Sequence, residues 1–168
     1  MTSDTQTDSH TISVYVTNKP GVLVRVAQVF ARRAYNIDSL VVSPAIDGHF
    51  SRMTLTAKGD PATLENIIKS VNRLVDVLHV SEHLERNVLQ KELALIKIGV
   101  KSDERTYLLQ IVEHFKAQTV DFTEDSLVIE VTGNSDKLDA MVEMLRRFGI
   151  KELVRTGKVL MARGLEDT

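Results

Sequence analysis

The 168-residue sequence contains no cysteine, only three prolines and few aromatic residues. The lack of cysteine excludes disulfides, thiolate metal sites and a cysteine nucleophile. No apolar stretch approaches the roughly 18 residues that a membrane-spanning helix needs, so the sequence predicts no transmembrane segment. With 43% hydrophobic and 26% charged residues, its composition is that of a soluble globular protein that can bury a core.

The sequence also lacks a charge excess of either sign. It has 21 Lys and Arg against 23 Asp and Glu, which gives a formal net charge of −2. A cut after Glu85 leaves 8 basic against 9 acidic residues in the first half and 13 against 14 in the second. Non-specific nucleic-acid binding needs a basic excess that neither half has. We therefore expect no nucleic-acid partner and no membrane partner.

The first ten residues, 1–10, have neither the apolar core of a secretory signal nor the arginines of a transit peptide. They are polar and show no period, so they are predicted to form a disordered tail. Without a targeting signal, the expected location is cytoplasmic.

Hydrophobic periodicity over residues 11–85 predicts the element order β-α-β-β-α-β. Asp47-Gly48 is typical of a hairpin turn between the two central strands. Asp60 followed by Pro61 indicates the N-cap and first position of the second helix. This order is that of a split βαβ, or ferredoxin-like, unit.

The second half repeats the first. Residues 86–92 are charged without a clear period and are the best candidate for a linker. Residues 93–163 then follow the same element order, and a shift of 74 places Asp60 on Asn134. The predicted fold class is α+β, with two tandem ferredoxin-like βαββαβ domains and a short tail at 164–168.

The first half spends 11 more residues on its central hairpin, since its first helix aligns at a shift of 85 and its second at 74. A longer hairpin extends an apolar edge strand, and such an edge invites pairing with another strand. We expect a homodimer through this edge, whose apolar residues are Leu40, Val41, Val42 and Ile46. The alternative is that the extra residues form a solvated loop.

No catalytic constellation is present. The sequence has no HExxH, Walker, GxGxxG or GxSxG motif. Asp103-Glu104 sits where a helix start needs acids, which favours capping over acid–base catalysis. His79 and His83 would share one strand face, but two ligands do not make a zinc site. We therefore predict no catalytic residue and no metal.

The loop before the first helix is the most distinctive candidate site. A helix N-terminus binds anions unless the protein fills it. In the second half Ser102, Asp103 and Glu104 occupy the corresponding position, whereas the first half has no acid there. An open carboxylate socket beside an apolar surface suits an aliphatic amino acid. Its predicted residues are Asn18, Lys19, Pro20, Gly21, Val22 and Leu23.

Three other interpretations remain open at this stage. The Pro20-Gly21 pair is also typical of a plain strand-to-helix turn. An RNA-recognition module has the same element order, although the third strand, 52–57, lacks the aromatic residues that stack on bases. A small enzyme with an unusual active site would need convergent His, Asp and Glu residues.

Four segments together resemble the regulatory (small) subunit family of acetohydroxyacid synthase, also called acetolactate synthase. Residues 11–85 resemble an ACT domain in that family, and the second half resembles its C-terminal ferredoxin-like domain. The segments are Asn18-Lys19-Pro20-Gly21-Val22-Leu23, Tyr35-Asn36-Ile37-Asp38-Ser39-Leu40, Ser51-Arg52-Met53-Thr54 and Leu74-Val75-Asp76-Val77.

The resemblance implies a chain that performs no chemistry itself and binds no cofactor. It implies a catalytic (large) subunit as partner, carrying thiamine diphosphate, Mg and FAD, and feedback inhibition by valine or a related branched-chain amino acid. In the family, the effector lies between two ACT domains, which adds Asn36 and Ile37 to the predicted site. From the residues alone, Asn36 is equally typical of a left-handed helix C-cap. The alternative function is an amino-acid-sensing ACT protein that regulates a different enzyme.

Overall fold

The computed structural model describes residues 8–84, 87–165 and 167–168. The chain forms two compact units. The first contains the chain up to Leu89 together with Gly157–Thr168, and the second is Gln90–Thr156. Among the described residues, no helix is long and apolar enough to cross a membrane.

The first unit is a four-stranded antiparallel sheet with strand order β2-β3-β1-β4 and two helices. The elements are β1 (Asp8–Thr17), α1 (Val22–Ala31), β2 (Ile37–Pro44), β3 (Phe50–Gly59), α2 (Pro61–Val71) and β4 (Val77–His83). Both helices bury their apolar stripe against one face of the sheet, where Val14, Leu55, Phe30 and Ile67 are completely buried.

The face of the first sheet opposite α1 and α2 is polar. Strand residues that alternate with the core residues point to it, as the strand period of two requires. Thr11, Ser13, Thr54 and Thr56 lie on this face, and all four are buried.

The second unit repeats the arrangement with strand order β6-β7-β5-β8. Its apolar core centres on Ile96, Leu108, Ile129 and Leu138. The remaining elements of the chain are β5 (Val88–Gly99), α3 (Arg105–His114), β6 (Gln118–Phe122), β7 (Ser126–Gly133), α4 (Ser135–Leu145), a 3-10 turn (Arg146–Phe148), β8 (Ile150–Arg155) and β9 (Val159–Ala162). The predicted α+β class with two βαββαβ units is confirmed.

Of the predicted linker at 86–92, residue 86 lies outside the described residues, and most of the rest belongs to β5, which already begins at Val88. The charged residues of this segment show no clear hydrophobic period, so the strand could not be predicted from the sequence. Glu92 is buried, and its charge is balanced by Arg155, whose Nη2 lies 2.6 Å from Oε2. The segment alone is typical of a linker. It forms a strand because Arg155, 63 positions away, balances the charge of Glu92.

Part of each predicted tail forms defined structure among the described residues. Of the tail at 1–10, residues 1–7 lie outside the described residues, while 8–10 pair with β3. Gly157–Thr168, which includes the end of the predicted second domain, belongs to the first unit. Thr168 is buried, and its hydroxyl accepts a hydrogen bond from the Ala162 N–H at 2.8 Å.

Candidate functional site

The loop between β1 and α1 has an open helix start. Gly21 is the N-cap residue of α1 with φ 84°, a left-handed conformation that glycine adopts without strain. Within the described ranges, no side chain caps this helix. The Val22 N–H makes only a long contact of 3.4 Å to the Lys19 carbonyl. The helix start therefore keeps donors that an anion can use.

Asn18 fastens this loop to the β2–β3 hairpin. Its backbone N–H donates to the His49 carbonyl at 2.8 Å, and its side-chain Nδ2 donates to the Gly48 carbonyl at 3.0 Å. One amide hydrogen is thus committed to the fold, while the side-chain oxygen is an acceptor for a ligand ammonium.

The charge around the loop includes an ion pair that the sequence analysis missed. Arg25 Nη2 lies 2.5 Å from Asp76 Oδ2, and the other oxygen of Asp76 accepts from the Thr17 hydroxyl at 3.1 Å. Arg25 Nη1 would lie 3.6 Å from a Cβ built on Gly21. No acid follows the loop in sequence up to Asn36, but the fold brings Asp76 beside it. In the sequence, the only feature that draws attention to Asp76 is the family resemblance of segment 74–77.

The apolar surface of the predicted socket is narrower than the sequence suggested. Val22 is 2% exposed and belongs to the core, so it offers no floor to a ligand. Leu23 is 40% exposed and Val24 is 58% exposed. These two side chains provide the apolar surface beside the loop.

Asn36 and Ile37 lie at the opposite end of the same sheet. Ile37 pairs with Ala57, whereas Thr17, just before the loop, pairs with Phe50. Seven residues of β3 separate these two positions, about 23 Å at the usual rise of a strand. Within one chain, the structure does not bring the two parts of the predicted site together.

Asn36 is not the helix C-cap that its residue type allows. The left-handed residue after α1 is Ala34, with φ 52°. Asn36 is exposed, and its Nδ2 donates to Asp38 Oδ1 at 2.8 Å.

The start of α3 does not carry the side-chain caps expected from its acids. Glu104 is the N-cap residue, yet its side chain caps no N–H within the described residues. Instead Arg105 begins the helix and donates from Nη2 to the Thr123 and Glu124 carbonyls at 3.2 and 2.5 Å. The expectation that Ser102, Asp103 and Glu104 cap this helix is wrong at Glu104. A contact with a neighbouring hairpin positions the helix start instead.

The strand with the predicted dimer residues, β2, is an edge of the first sheet. Val42 is 44% exposed, and Ile46, in the hairpin, is completely exposed. Leu40 packs against the core. Val41 lies beside Gly157, since a Cβ built on Gly157 would come within 2.9 Å of the Val41 side chain. The exposed apolar surface of this edge is thus concentrated at its Val42–Ile46 end.

Each histidine of the pair His79 and His83 forms a hydrogen bond with a serine hydroxyl. His83 Nε2 lies 2.6 Å from the Ser13 hydroxyl, and His79 Nε2 lies 2.5 Å from the Ser81 hydroxyl. Burial, and then the positive charge of Arg52 and the neighbouring His79, lower the pKa of His83. In the described part of the chain, no three His, Asp or Glu residues are grouped to hold a metal.

Comparison with known families agrees with the two-unit architecture. Residues 12–79 match the AHAS small subunit-like ACT domain, and residues 91–164 match the small subunit of acetolactate synthase. The chain belongs to the acetolactate synthase small subunit family. This confirms the resemblance in the first half and in the second.

Relatives match over nearly their whole length. A probable acetolactate synthase small subunit of Archaeoglobus fulgidus is 46% identical over 92% of this chain and 97% of the relative. The acetolactate synthase small subunit of Mycolicibacterium smegmatis is 40% identical over 94% and 93%. The crystal structure of the small subunit from Thermotoga maritima has a TM-score of 0.83 at 36% identity, covering 95% of this chain and 99% of that one.

Proposed function

We propose that this chain binds the catalytic subunit of acetolactate synthase in the cytoplasm, raises its activity and makes it sensitive to valine or a related branched-chain amino acid. Family membership over almost the full length supports the partner. The chain performs no chemistry itself, and thiamine diphosphate, Mg and FAD belong to the catalytic subunit.

The effector site is completed by a second copy of the chain. The observation that carries this proposal is the separation of the Asn18–Leu23 loop from Asn36 and Ile37, about 23 Å along β3. Two chains paired through β2 form an isologous interface, in which each part of the site occurs twice. The loop of one copy then meets the start of β2 of the other, which gives two symmetric sites.

The chemistry of the loop fits a free aliphatic amino acid. The open N-terminus of α1 attracts a carboxylate, and Arg25, which is paired with Asp76 through Nη2, has Nη1 near Gly21 as a further donor. The side-chain oxygen of Asn18 accepts from an ammonium, and Leu23 offers apolar contact. Lys19, Pro20 and Gly21 shape the loop, and Gly21 lets the ligand approach the backbone.

Inhibition requires that valine bind two arrangements of the dimer with different affinity. The bound amino acid joins two chains, so it favours the arrangement that brings loop and strand start together. In that arrangement, the dimer activates the catalytic subunit less strongly. The unliganded dimer is free to take the arrangement that activates it.

A Gly21→Asp variant tests the site assignment. The new carboxylate occupies the helix start and repels the carboxylate of the ligand, so valine inhibition is lost while activation of the catalytic subunit remains. Titration of valine by calorimetry and an acetolactate assay with the purified catalytic subunit measure both. Gly149→Asp is the control, because Gly149 has a similar φ of 76° with open space around it.

Valine binding by the Gly21→Asp protein with the full number of wild-type sites, or unchanged valine inhibition, would show that the loop is not part of the effector site. Failure of the wild-type chain to activate the catalytic subunit would contradict the proposed function itself. These two failures are distinguishable because one concerns only the variant.

A further inference from the structure

A separate cleft of about 530 Å³ opens on the face of the first sheet opposite α1 and α2. Its volume lies in the range of small-molecule sites, about 300–1,000 Å³. It lies outside the Asn18–Leu23 loop and far from the start of β2. Its lining residues are Tyr15, Ser43, Pro44, Ala45, Ile46, Asp47, Arg52 and Met161.

Arg52 is the unexplained group in this cleft. It lies on β3 in register with Tyr15 on one side and Ser43 on the other. Its guanidinium carbon is 5.8 Å from the ring centroid of Tyr15. Its Nε is buried with no hydrogen-bond partner, and it forms no ion pair with any acid of the described residues. A buried N–H of a cation is costly without an acceptor, so the geometry favours an anion from outside.

The rest of the lining provides an apolar surface and one opposite charge. Pro44, Ile46 and Met161 offer apolar atoms, and the last two are 110% and 65% exposed. Asp47 holds the hairpin turn by accepting from the His49 N–H at 3.1 Å. Its carboxylate forms no ion pair with any cation among the residues that the structure describes.

We propose that this cleft is a second ligand site, which binds a short apolar carboxylate against Arg52. The apolar body of the ligand packs on Tyr15, Ile46 and Met161. Where the ligand carries an α-amino group, Asp47 receives it. The site lies within one chain and goes beyond the proposed effector site, which needs two.

The two sites are mechanically connected through the hairpin. Residues 45–47 form one wall of the cleft, and Asn18 bonds to Gly48 and His49 of the same hairpin. A ligand that holds this wall also biases the position of the Asn18 loop. By linkage, occupancy of either site then changes the affinity of the other by the same factor.

The experiment measures binding of radiolabelled valine to the full chain by equilibrium dialysis, in the Gly21→Asp background that closes the loop site. We expect saturable binding to remain. Adding Met161→Asp places a carboxylate in the same cleft as Arg52, where it competes with the ligand carboxylate, and weakens this binding at least about tenfold. Leu165→Asp is the matched control, since it makes the same change at an exposed residue of the same segment outside the cleft.

Arg52→Met in the same background is the second variant, with the same expected loss. Circular dichroism shows whether it folds, and Met161→Asp keeps the test valid if it does not. Because Ile46 also belongs to the proposed dimer edge, mass is measured in parallel, and Met161→Asp leaves it unchanged.

Competition identifies the ligand class. Isovalerate, which has the carboxylate without the amine, and isobutylamine, which has the amine without the carboxylate, are added against labelled valine. Displacement by isovalerate supports a carboxylate site for unaminated acids, and displacement only by amino acids supports the additional role of Asp47. Displacement by isobutylamine, equal binding in the Met161→Asp protein, or no binding in the Gly21→Asp background overturns the proposal. None of these results depends on activation of the catalytic subunit.

Discussion

Single residues whose environment comes from distant parts of the chain define both candidate sites. Arg25 lies beside the loop of the proposed effector site because it is paired with Asp76, which is 51 positions away in sequence. Arg52 enters its cleft because strand pairing aligns it with Tyr15 and Ser43. The sequence shows each residue but not its partner, so neither contact could be predicted from local patterns.

The environment of Gly59 also depends on a residue distant in sequence, and a substitution at Gly59 tests the packing of the core in the first unit. A Cβ at this position would lie 2.3–2.6 Å from the ring and hydroxyl of Tyr35, which is 7% exposed. Gly59→Ala should therefore destabilise the protein by about 1–3 kcal/mol through overpacking. Urea unfolding measures the change.

Gly99→Ala is the matched control for Gly59→Ala. Its Cβ would meet the flexible end of Lys151 at 3.1 Å and the Asp125 carbonyl at an ordinary contact distance of 4.0 Å, and so we expect a much smaller effect. Equal destabilisation by both substitutions would show that Tyr35 does not pack tightly on Gly59.

At the scale of elements, local signals predicted the second helix of each unit well. Asp60 caps α2 by accepting from the Thr63 N–H at 2.7 Å, with Pro61 in the first turn, and Asn134 caps α4 in the same way. These caps depend on neighbours within four positions. The strand at Val88 and the cap-free start of α3 depend on remote contacts and were missed.

The Asp60 cap makes the stability of the first unit depend on pH. Hydrogen bonds from Thr63 lower the pKa of Asp60 below its ordinary value near 4. The stability it contributes is therefore present above that ordinary value and is lost as the pH falls through the lower folded-state pKa. Asp60→Asn should keep the cap and remove this loss, as measured by urea unfolding between about pH 5 and 2.

Asn134→Asp is the reciprocal variant for this pH test. It should introduce the same kind of acid sensitivity into the second unit, because Asn134 holds the equivalent position with a neutral side chain. An Asp60→Asn protein with an unchanged pH profile would contradict the assigned origin of the pKa shift.

At the scale of the whole molecule, the β2 edge and the two separate parts of the proposed effector site both support the proposed dimer. The resemblance predicted the residues of the proposed site, and within one chain their two parts lie at opposite ends of the sheet. The sequence predicted the repeated unit because apolar periods persist through both halves. It did not reveal that Gly157–Thr168 belongs to the first unit, since that depends on close packing of Gly157 on Ser39 and Val41.

Mixing two defective variants tests the shared site most directly. Gly21→Asp destroys the loop half of each site, and Asn36→Lys destroys the strand half, so neither protein alone binds valine at the interface. After unfolding together and refolding, a heterodimer has one intact site and one doubly altered site. Random assortment then restores about a quarter of the wild-type interface sites for valine, measured by calorimetry above the binding that each variant shows alone. Recovery to that level is the result we predict, and no recovery from a mixture shown to contain heterodimers would contradict a site built from two chains.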